Sequence, residues 1–192
     1  MLSERQIEII NKSINIIDTK GIQGLTIKNL SKDIGISEPA IYRHFESKTD
    51  ILLAILKNFE EMSMFLLEAV NGMNDKAINK IEFIFSKILE IFSKEPSQIT
   101  VIFSEEIFKN ETVLREKIAN IMTTKQTAIE DIILSGQNAG EIRTDINYKT
   151  LALLVMGALR FKVKQWDLKN QKENLLQEGQ ELLIGIRQIL EK

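Results

Sequence analysis

The 192-residue sequence contains no cysteine and one histidine, His44. Without cysteine the chain cannot form a disulfide, a cysteine-ligated metal site or a thiolate nucleophile. The sequence also lacks an H-E-x-x-H pattern and a glycine-rich phosphate loop. Paired acids such as Glu130 and Asp131 are adjacent in a predicted helix, so their side chains diverge. We therefore expect no catalytic residue, no metal site and no cofactor, and we do not expect an enzyme.

Long apolar runs are missing as well. No stretch of about 18 uncharged apolar residues occurs, so no membrane-spanning helix is predicted. No apolar run follows a basic start at the N-terminus, so no signal peptide is predicted. Together with the missing cysteines, these features favour a cytoplasmic protein with no membrane partner. The formal net charge of −2 leaves any nucleic-acid affinity to individually placed contacts.

Proline is almost absent, and both prolines, Pro39 and Pro96, lie where a helix would begin. Strand patterns are nearly absent, and apolar residues recur at helical spacing along most of the chain. We predict an all-α protein of about nine helices. It divides into a three-helix domain over residues 1–46 and a larger helical domain over residues 47–192, and the fourth helix joins the two without a flexible linker. The predicted helices after the fourth lie near 75–94, 97–108, 111–135, 147–169 and 172–191.

A pair of short helices with a tight connection begins at Thr26. Thr26 and Ser37 are of the residue types that cap helix N-termini, and Gly35 allows a sharp reversal between the helices. Helical spacing turns Ile41 and Phe45 inward, towards the first helix of the pair. This arrangement is a helix-turn-helix, whose second helix can enter the major groove of DNA.

The segment LTIKNLSKDIGISEPAIYRHFESKTDIL, from Leu25 to Leu52, resembles the signature of TetR/AcrR-family transcriptional regulators. The matching residues are Thr26, Ile27, Leu30, Gly35, Ile36, Ser37, Tyr42, His44, Phe45 and Lys48. Ser31 and Ile34 depart from the alanine that such proteins often carry at these positions. The resemblance implies a helix-turn-helix DNA-binding domain over residues 1–46, followed by a helical effector-binding and dimerisation domain over residues 47–192.

The resemblance also implies DNA-binding roles for ten residues. The predicted contacts to the phosphate backbone, which fix the register on DNA, are Thr26, Lys28, Ser37, Tyr42, His44 and Lys48. The residues predicted to face base edges are Glu38, Pro39, Ala40 and Arg43. Most of the ten have an alternative role. Thr26 and Ser37 are also suited to cap helices, and Lys48 could serve only at the start of the fourth helix. Tyr42 could only pack on the three-helix domain, Arg43 could be a solvated surface charge, and His44 could only bond a local backbone group.

Two apolar stripes near the C-terminus predict a dimer interface, as the resemblance implies. The predicted interface residues are Leu151, Leu154, Val155, Ala158, Phe161, Leu175, Gly179, Leu182, Leu183 and Ile186. Two such helical hairpins can pair into a four-helix bundle around a two-fold axis. A homodimer would place two reading helices about 34–36 Å apart, which suits a palindromic operator in double-stranded DNA. The alternative is that the stripes pack only within the chain.

Phenylalanine and methionine in the middle of the chain suit an adaptable apolar pocket. The predicted lining residues are Phe59, Met62, Phe85, Phe103, Met122 and Trp166, although Trp166 could belong to the dimer seam instead. Such residues form core more often than pocket, so the resemblance, rather than the pattern, carries this prediction. The expected effector is a small, largely apolar molecule.

Two interpretations therefore remain. In the first, the protein is a dimeric repressor that the small-molecule effector releases from its operator by tilting the fourth helix. In the second, the same DNA-binding head carries a C-terminal body that binds a protein partner or senses no small molecule. A large cavity in the body favours the first interpretation, and a filled core favours the second. The sequence leaves the operator and the sign of regulation open.

Overall fold

The computed structural model describes residues 2–103, 108 and 111–191, and within them it contains helices and no strand. The helices are α1 (Glu4–Gly24), α2 (Ile27–Ile34), α3 (Glu38–Tyr42), α4 (Lys48–Asn71), α5 (Ala77–Lys94), α6 (Ser97–Ile102), α7 (Thr112–Asn138), α8 (Tyr148–Leu168) and α9 (Leu175–Leu190). The all-α prediction is confirmed. The predicted helix over 97–108 begins as expected, but most of its second half lies outside the described residues. Across the described ranges, no helix is both long and apolar enough to span a membrane.

The chain folds into two compact units. The first comprises Met1–Glu61 with Ser97–Ala119, and the second comprises Met62–Pro96 with Asn120–Lys192. The first unit contains the whole predicted DNA-binding domain and adds a later segment of the chain, because α6 packs against α1. Apolar periodicity shows that a helix buries one face but does not show which helix covers it.

Helix α1 supplies much of the core of the first unit. It begins with a capping box, in which the Ser3 hydroxyl accepts the Gln6 amide and the Gln6 side chain accepts the Ser3 amide. Its buried apolar residues are Ile9, Ile10, Ile14, Ile16 and Ile17. The helix has a kink at Gly21, with φ 70° and ψ 175°, after which one further turn runs to Gly24. Glycine in this left-handed region bends the helix rather than ending it.

Helices α5, α8 and α9 form the core of the second unit, with α9 packed against both α5 and α8. A bidentate pair joins α9 to α5: Arg187 Nε and Nη2 donate to the two carboxylate oxygens of Glu82 at 2.7 and 2.6 Å. Arg187 Nη2 also donates to Asn79 Oδ1 at 2.9 Å. An ion pair between Lys162 and Glu178 joins α8 to α9. The C-terminal helices are therefore held in place within the chain itself.

Candidate nucleic-acid interface

The turn between α2 and α3 has the geometry that the sequence predicted. Thr26 is the N-cap of α2, and its hydroxyl accepts the Asn29 amide at 3.1 Å. Gly35 ends the helix in the left-handed conformation, with φ 81° and ψ 29°, which a glycine adopts at little cost. Ser37 is the N-cap residue of α3, but its side chain makes no capping hydrogen bond. The helix-turn-helix prediction is confirmed, and the exposed Ser37 hydroxyl is available to a phosphate.

Helix α3 is short and strongly two-sided. Ile41 is fully buried, and Phe45, just beyond the helix, is buried with it. With 3.6 residues per turn, Pro39 and Arg43 project roughly opposite Ile41, and both are exposed. The buried side fixes the helix on the unit, and the opposite side is left open to solvent.

The ten predicted DNA contacts differ in exposure. Seven are exposed: Thr26, Lys28, Ser37, Glu38, Pro39, Tyr42 and Arg43. Three are half-buried: Ala40, His44 and Lys48. The His44 carbonyl accepts a long hydrogen bond of 3.5 Å from Gln6 Nε2, so this residue also helps to hold α1 in place.

Charges on the first unit are only partly neutralised. Lys20 pairs with Asp33 at 3.7 Å, and Arg5 pairs with Glu8 at 2.5 Å. The side chains of Lys28 and Arg43, by contrast, form no hydrogen bond or ion pair with the described part of the chain. Two exposed cations thus remain available to an anionic partner such as DNA.

Lys48 stands apart from the other predicted phosphate contacts. Its Nζ donates to the carbonyl oxygen of Ile22 at 2.9 Å. Partial burial lowers the pKa of this ammonium below its usual range. The structure therefore engages Lys48 within the first unit.

The predicted pocket residues belong to different units. Phe59 and Phe103 are in the first unit, and the second contains Met62, Phe85, Met122 and Trp166. Phe85 and Trp166 are buried, whereas Met122 is exposed. Trp166 Nε1 donates to the Glu173 carbonyl at 2.7 Å, which fixes the connection between α8 and α9.

One cavity of the second unit has a volume of about 410 Å³ and is lined by Arg143, Thr144, Asp145, Gln188 and Glu191. This groove is polar and includes none of the predicted lining residues. Arg143 and Asp145 already neutralise each other through two hydrogen bonds of 2.6 and 2.7 Å. The groove is therefore not the apolar pocket that the sequence predicted, and that pocket stays a prediction.

The predicted interface residues fall into two groups. The chain itself buries Leu151, Val155, Leu175, Gly179 and Ile186. The side chains that remain exposed or half-buried are Leu154, Ala158, Phe161, Leu182 and Leu183. Gly179 faces Leu89 of α5, since a Cβ added at Gly179 would collide with the Leu89 side chain. Burial of the first group therefore needs no second chain.

Sequence reasoning missed several exposed apolar side chains on the same two helices. These are Leu153, Leu168 and Ile184. Leu154, Phe161 and Leu168 recur every seven residues, so they lie along one side of α8. The seven-residue spacing of these side chains is visible in the sequence. It indicates a second apolar side of α8 only after the apolar residues that α8 buries have been assigned to the core.

Two known protein families together match most of the chain. Residues 9–55 match the family described as "Bacterial regulatory proteins, tetR family". Residues 58–186 match the family described as "YsiA-like protein, C-terminal region". The fatty acid metabolism regulator protein of Bacillus subtilis (strain 168) is 22% identical over 174 residues, which cover 90% of this chain and 88% of that protein. The nucleoid occlusion factor SlmA of Haemophilus influenzae (strain PittGG) is 24% identical over 133 residues, or 69% of this chain and 61% of SlmA.

Solved structures show the same fold over nearly the whole chain. FadR from Bacillus subtilis, solved in complex with stearoyl-CoA, matches with a TM-score of 0.82 at 20% identity, covering 96% of this chain and 98% of FadR. The ketosteroid regulator KstR2 of Mycobacterium tuberculosis matches with a TM-score of 0.85 at 16% identity, covering 100% and 97%. A putative fatty acid metabolism regulator of Clostridium perfringens matches with a TM-score of 0.82 at 19% identity, covering 95% and 98%.

Proposed function

The chain belongs to the TetR/AcrR family of transcriptional regulators, and from that premise we propose that it is a dimeric repressor that a fatty acyl thioester releases from a palindromic operator. The observation that carries DNA reading is the open face of α3. Pro39, Tyr42 and Arg43 are exposed there, while Ile41 anchors the helix from behind. A rigidly held helix with its outer side unoccupied suits the major groove.

The chemistry of this face supports sequence-specific contacts. Arg43 is an exposed guanidinium without a described partner, and it can donate two hydrogen bonds to a guanine, worth about 1–3 kcal/mol of discrimination. Lys28 and the hydroxyls of Thr26 and Ser37 suit the phosphate backbone, which sets register but not sequence. Since α3 has only five residues, one copy reads few base pairs, and specificity requires two copies.

The second copy is proposed to pair through α8 and α9. Leu154, Phe161 and Leu168 expose 50%, 70% and 73% of their surface along one side of α8. On α9, Leu176 and Ile184 are exposed as well. An exposed strip of large apolar side chains marks an interaction surface, and an isologous dimer buries the same strip of both copies. The five predicted interface residues that the chain already buries are not part of this exposed strip.

The effector class rests on the relatives. The Bacillus subtilis relative is named as a fatty acid metabolism regulator, and the FadR structure from that organism holds stearoyl-CoA. In the second unit of this chain, Met64, Phe65 and Met122 leave apolar side chains exposed, which is surface that a long acyl chain can cover. A protein partner for the body, or no sensing at all, is the alternative that the ligand experiment separates.

Selection of bound duplexes from a random DNA pool, with the purified full chain at low salt, tests DNA reading. We expect a palindrome with two equal half-sites. No enriched sequence at low salt would contradict the proposal as a whole, whereas a single unpaired half-site would contradict only the dimer.

Fluorescence anisotropy on the selected operator then tests the effector. Stearoyl-CoA should release the operator, and free coenzyme A at the same concentration should not. If stearoyl-CoA raises operator affinity, the release mechanism is wrong. If the acyl thioester has no effect, the body does not sense this class of molecule, and DNA reading is unaffected.

A further inference from the structure

The kink in α1 creates an unusual carbonyl acceptor next to the DNA-reading helices. After Gly21 interrupts the helix, the Ile22 carbonyl accepts the Leu25 amide at 3.2 Å. The same oxygen accepts Lys48 Nζ at 2.9 Å, although Lys48 lies 26 positions further along the chain. Lys48 is the first residue of α4. One hydrogen bond therefore ties the start of α4 to the end of α1.

The turn held by this bond leads directly into α2. The Thr26 amide donates to the Gly24 carbonyl at 3.0 Å, and Asn29 Nδ2 donates to the same carbonyl at 2.8 Å. The Thr26 hydroxyl in turn accepts the Asn29 amide. These bonds connect the anchored turn to the N-terminus of α2, where free amides and the Thr26 hydroxyl suit a phosphate.

The start of α4, from which Lys48 donates this hydrogen bond, is fixed as well. The Ser47 hydroxyl accepts the Asp50 amide at 3.1 Å and donates to Asp50 Oδ2 at 2.9 Å, which caps the first turn of α4. Ile51 and Leu52, in the same turn, are buried. Lys48 thus projects from a rigid helix start, is half-buried, and has its pKa lowered by that burial. The exposed Lys28 has none of these constraints.

We infer that Lys48 is a positioning residue of the DNA reader: its ammonium holds the α1–α2 turn so that Thr26 and the N-terminus of α2 meet the DNA backbone. The inference rests on the proposed DNA binding, and it differs from the phosphate contact that the sequence resemblance implies. The two roles predict different salt dependence, because only a lysine that contacts phosphate releases counterions.

Lys48→Met tests the inference, since methionine keeps an aliphatic stem and removes the charge. Lys28→Met is the matched variant of an exposed lysine. Operator affinity is measured for the full chain at several salt concentrations. Each lost phosphate contact makes the negative slope of log affinity against log salt shallower by about 0.9 per chain. We expect that loss in Lys28→Met. In Lys48→Met we expect an unchanged slope and an affinity roughly tenfold lower at every salt concentration, as for the loss of one charge-assisted hydrogen bond.

Further measurements separate positioning from a loss of folded protein. Lys48→Arg keeps a cationic donor and should recover most of the affinity. Amide exchange at residues 26–30 should speed up in Lys48→Met, while Ile51 and Leu52 keep their protection. Affinity for random DNA should fall less than affinity for the operator, whereas simple unfolding would lower both alike.

A slope that becomes shallower by about 0.9 per chain in Lys48→Met would overturn the inference. Unchanged operator affinity in that variant would overturn it too. Absence of sequence-specific binding by the unaltered chain contradicts the proposed function instead, so the two failures are distinguishable.

Discussion

Replacing Gly136 with alanine should destabilise the second unit. A Cβ at this position of α7 would lie 2.6 Å from Ala77 Cβ and 2.7 Å from Ile142 Cδ1. Both neighbours are buried. The methyl of Ala77 cannot rotate away, and the Ala77 amide is held by Glu141 Oε2 at 2.8 Å. The start of α5 and the chain after α7 must therefore both shift to admit one carbon atom.

The expected size follows from two opposing effects. Overpacking a closed core costs about 1–3 kcal/mol, and alanine gains up to about 1 kcal/mol over glycine within a helix. Because the nearest atom is carried directly on a backbone, we expect the upper part of the first range and a net loss of about 1–2 kcal/mol. For a chain of this size the melting temperature then falls by about 2–8 °C.

Thermal unfolding followed by circular dichroism measures the effect. Gly185→Ala in α9 is the control, because a Cβ there meets nothing within 4 Å, and its melting temperature should equal or exceed that of the parent chain. If the melting temperature of Gly136→Ala equals or exceeds that of the parent chain, the close approach of α5 and α7 is not a tight contact, and the reasoning is refuted.

Three further outcomes are expected. Hydrogen bonds from Lys94 and Lys87 lower the pKa of Glu90 from 4.5 to about 2, so the stability that they add is present above about pH 4.5 and is lost as the pH falls towards 2. Glu90→Gln should therefore flatten the dependence of melting temperature on pH between about pH 4.5 and 2. An unaltered curve would contradict this role of Glu90. Phe161→Glu should turn the dimer into a folded monomer in sedimentation, and a persistent dimer would exclude this face. Arg43→Ala should relax base preference at one position by about 1–3 kcal/mol in a repeated selection, and an unchanged preference would remove Arg43 from base reading.

The helix-turn-helix segment could be predicted from sequence because its geometry is set by local chemistry. A threonine before an apolar helical pattern, and a glycine eight residues beyond that helix start, fix the cap and the reversal through interactions within a few residues. Thr26 and Gly35 occupy these positions in the structure. The inward position of Ile41 likewise follows from helical spacing alone.

The remaining features depend on contacts between distant residues, which a single sequence does not encode visibly. Nothing local indicates that Lys48 reaches Ile22, or that α6 packs against α1. The stripe on α8 placed both Leu151 and Leu154 in the predicted dimer interface, whereas the chain itself buries Leu151 and leaves Leu154 exposed. A helix that is apolar on two sides shows both sides as one apolar pattern in the sequence. Which side faces the core and which faces outward depends on the helices that pack against it.

Hydrogen–deuterium exchange of the full chain, with and without the selected operator, tests the central claim most directly. Operator binding should slow amide exchange at the N-terminus of α2 and in α3, across residues 26–45, more than a random duplex does at the same salt concentration. Specific binding that leaves these residues unchanged and protects another surface would show that the open face of α3 does not read DNA.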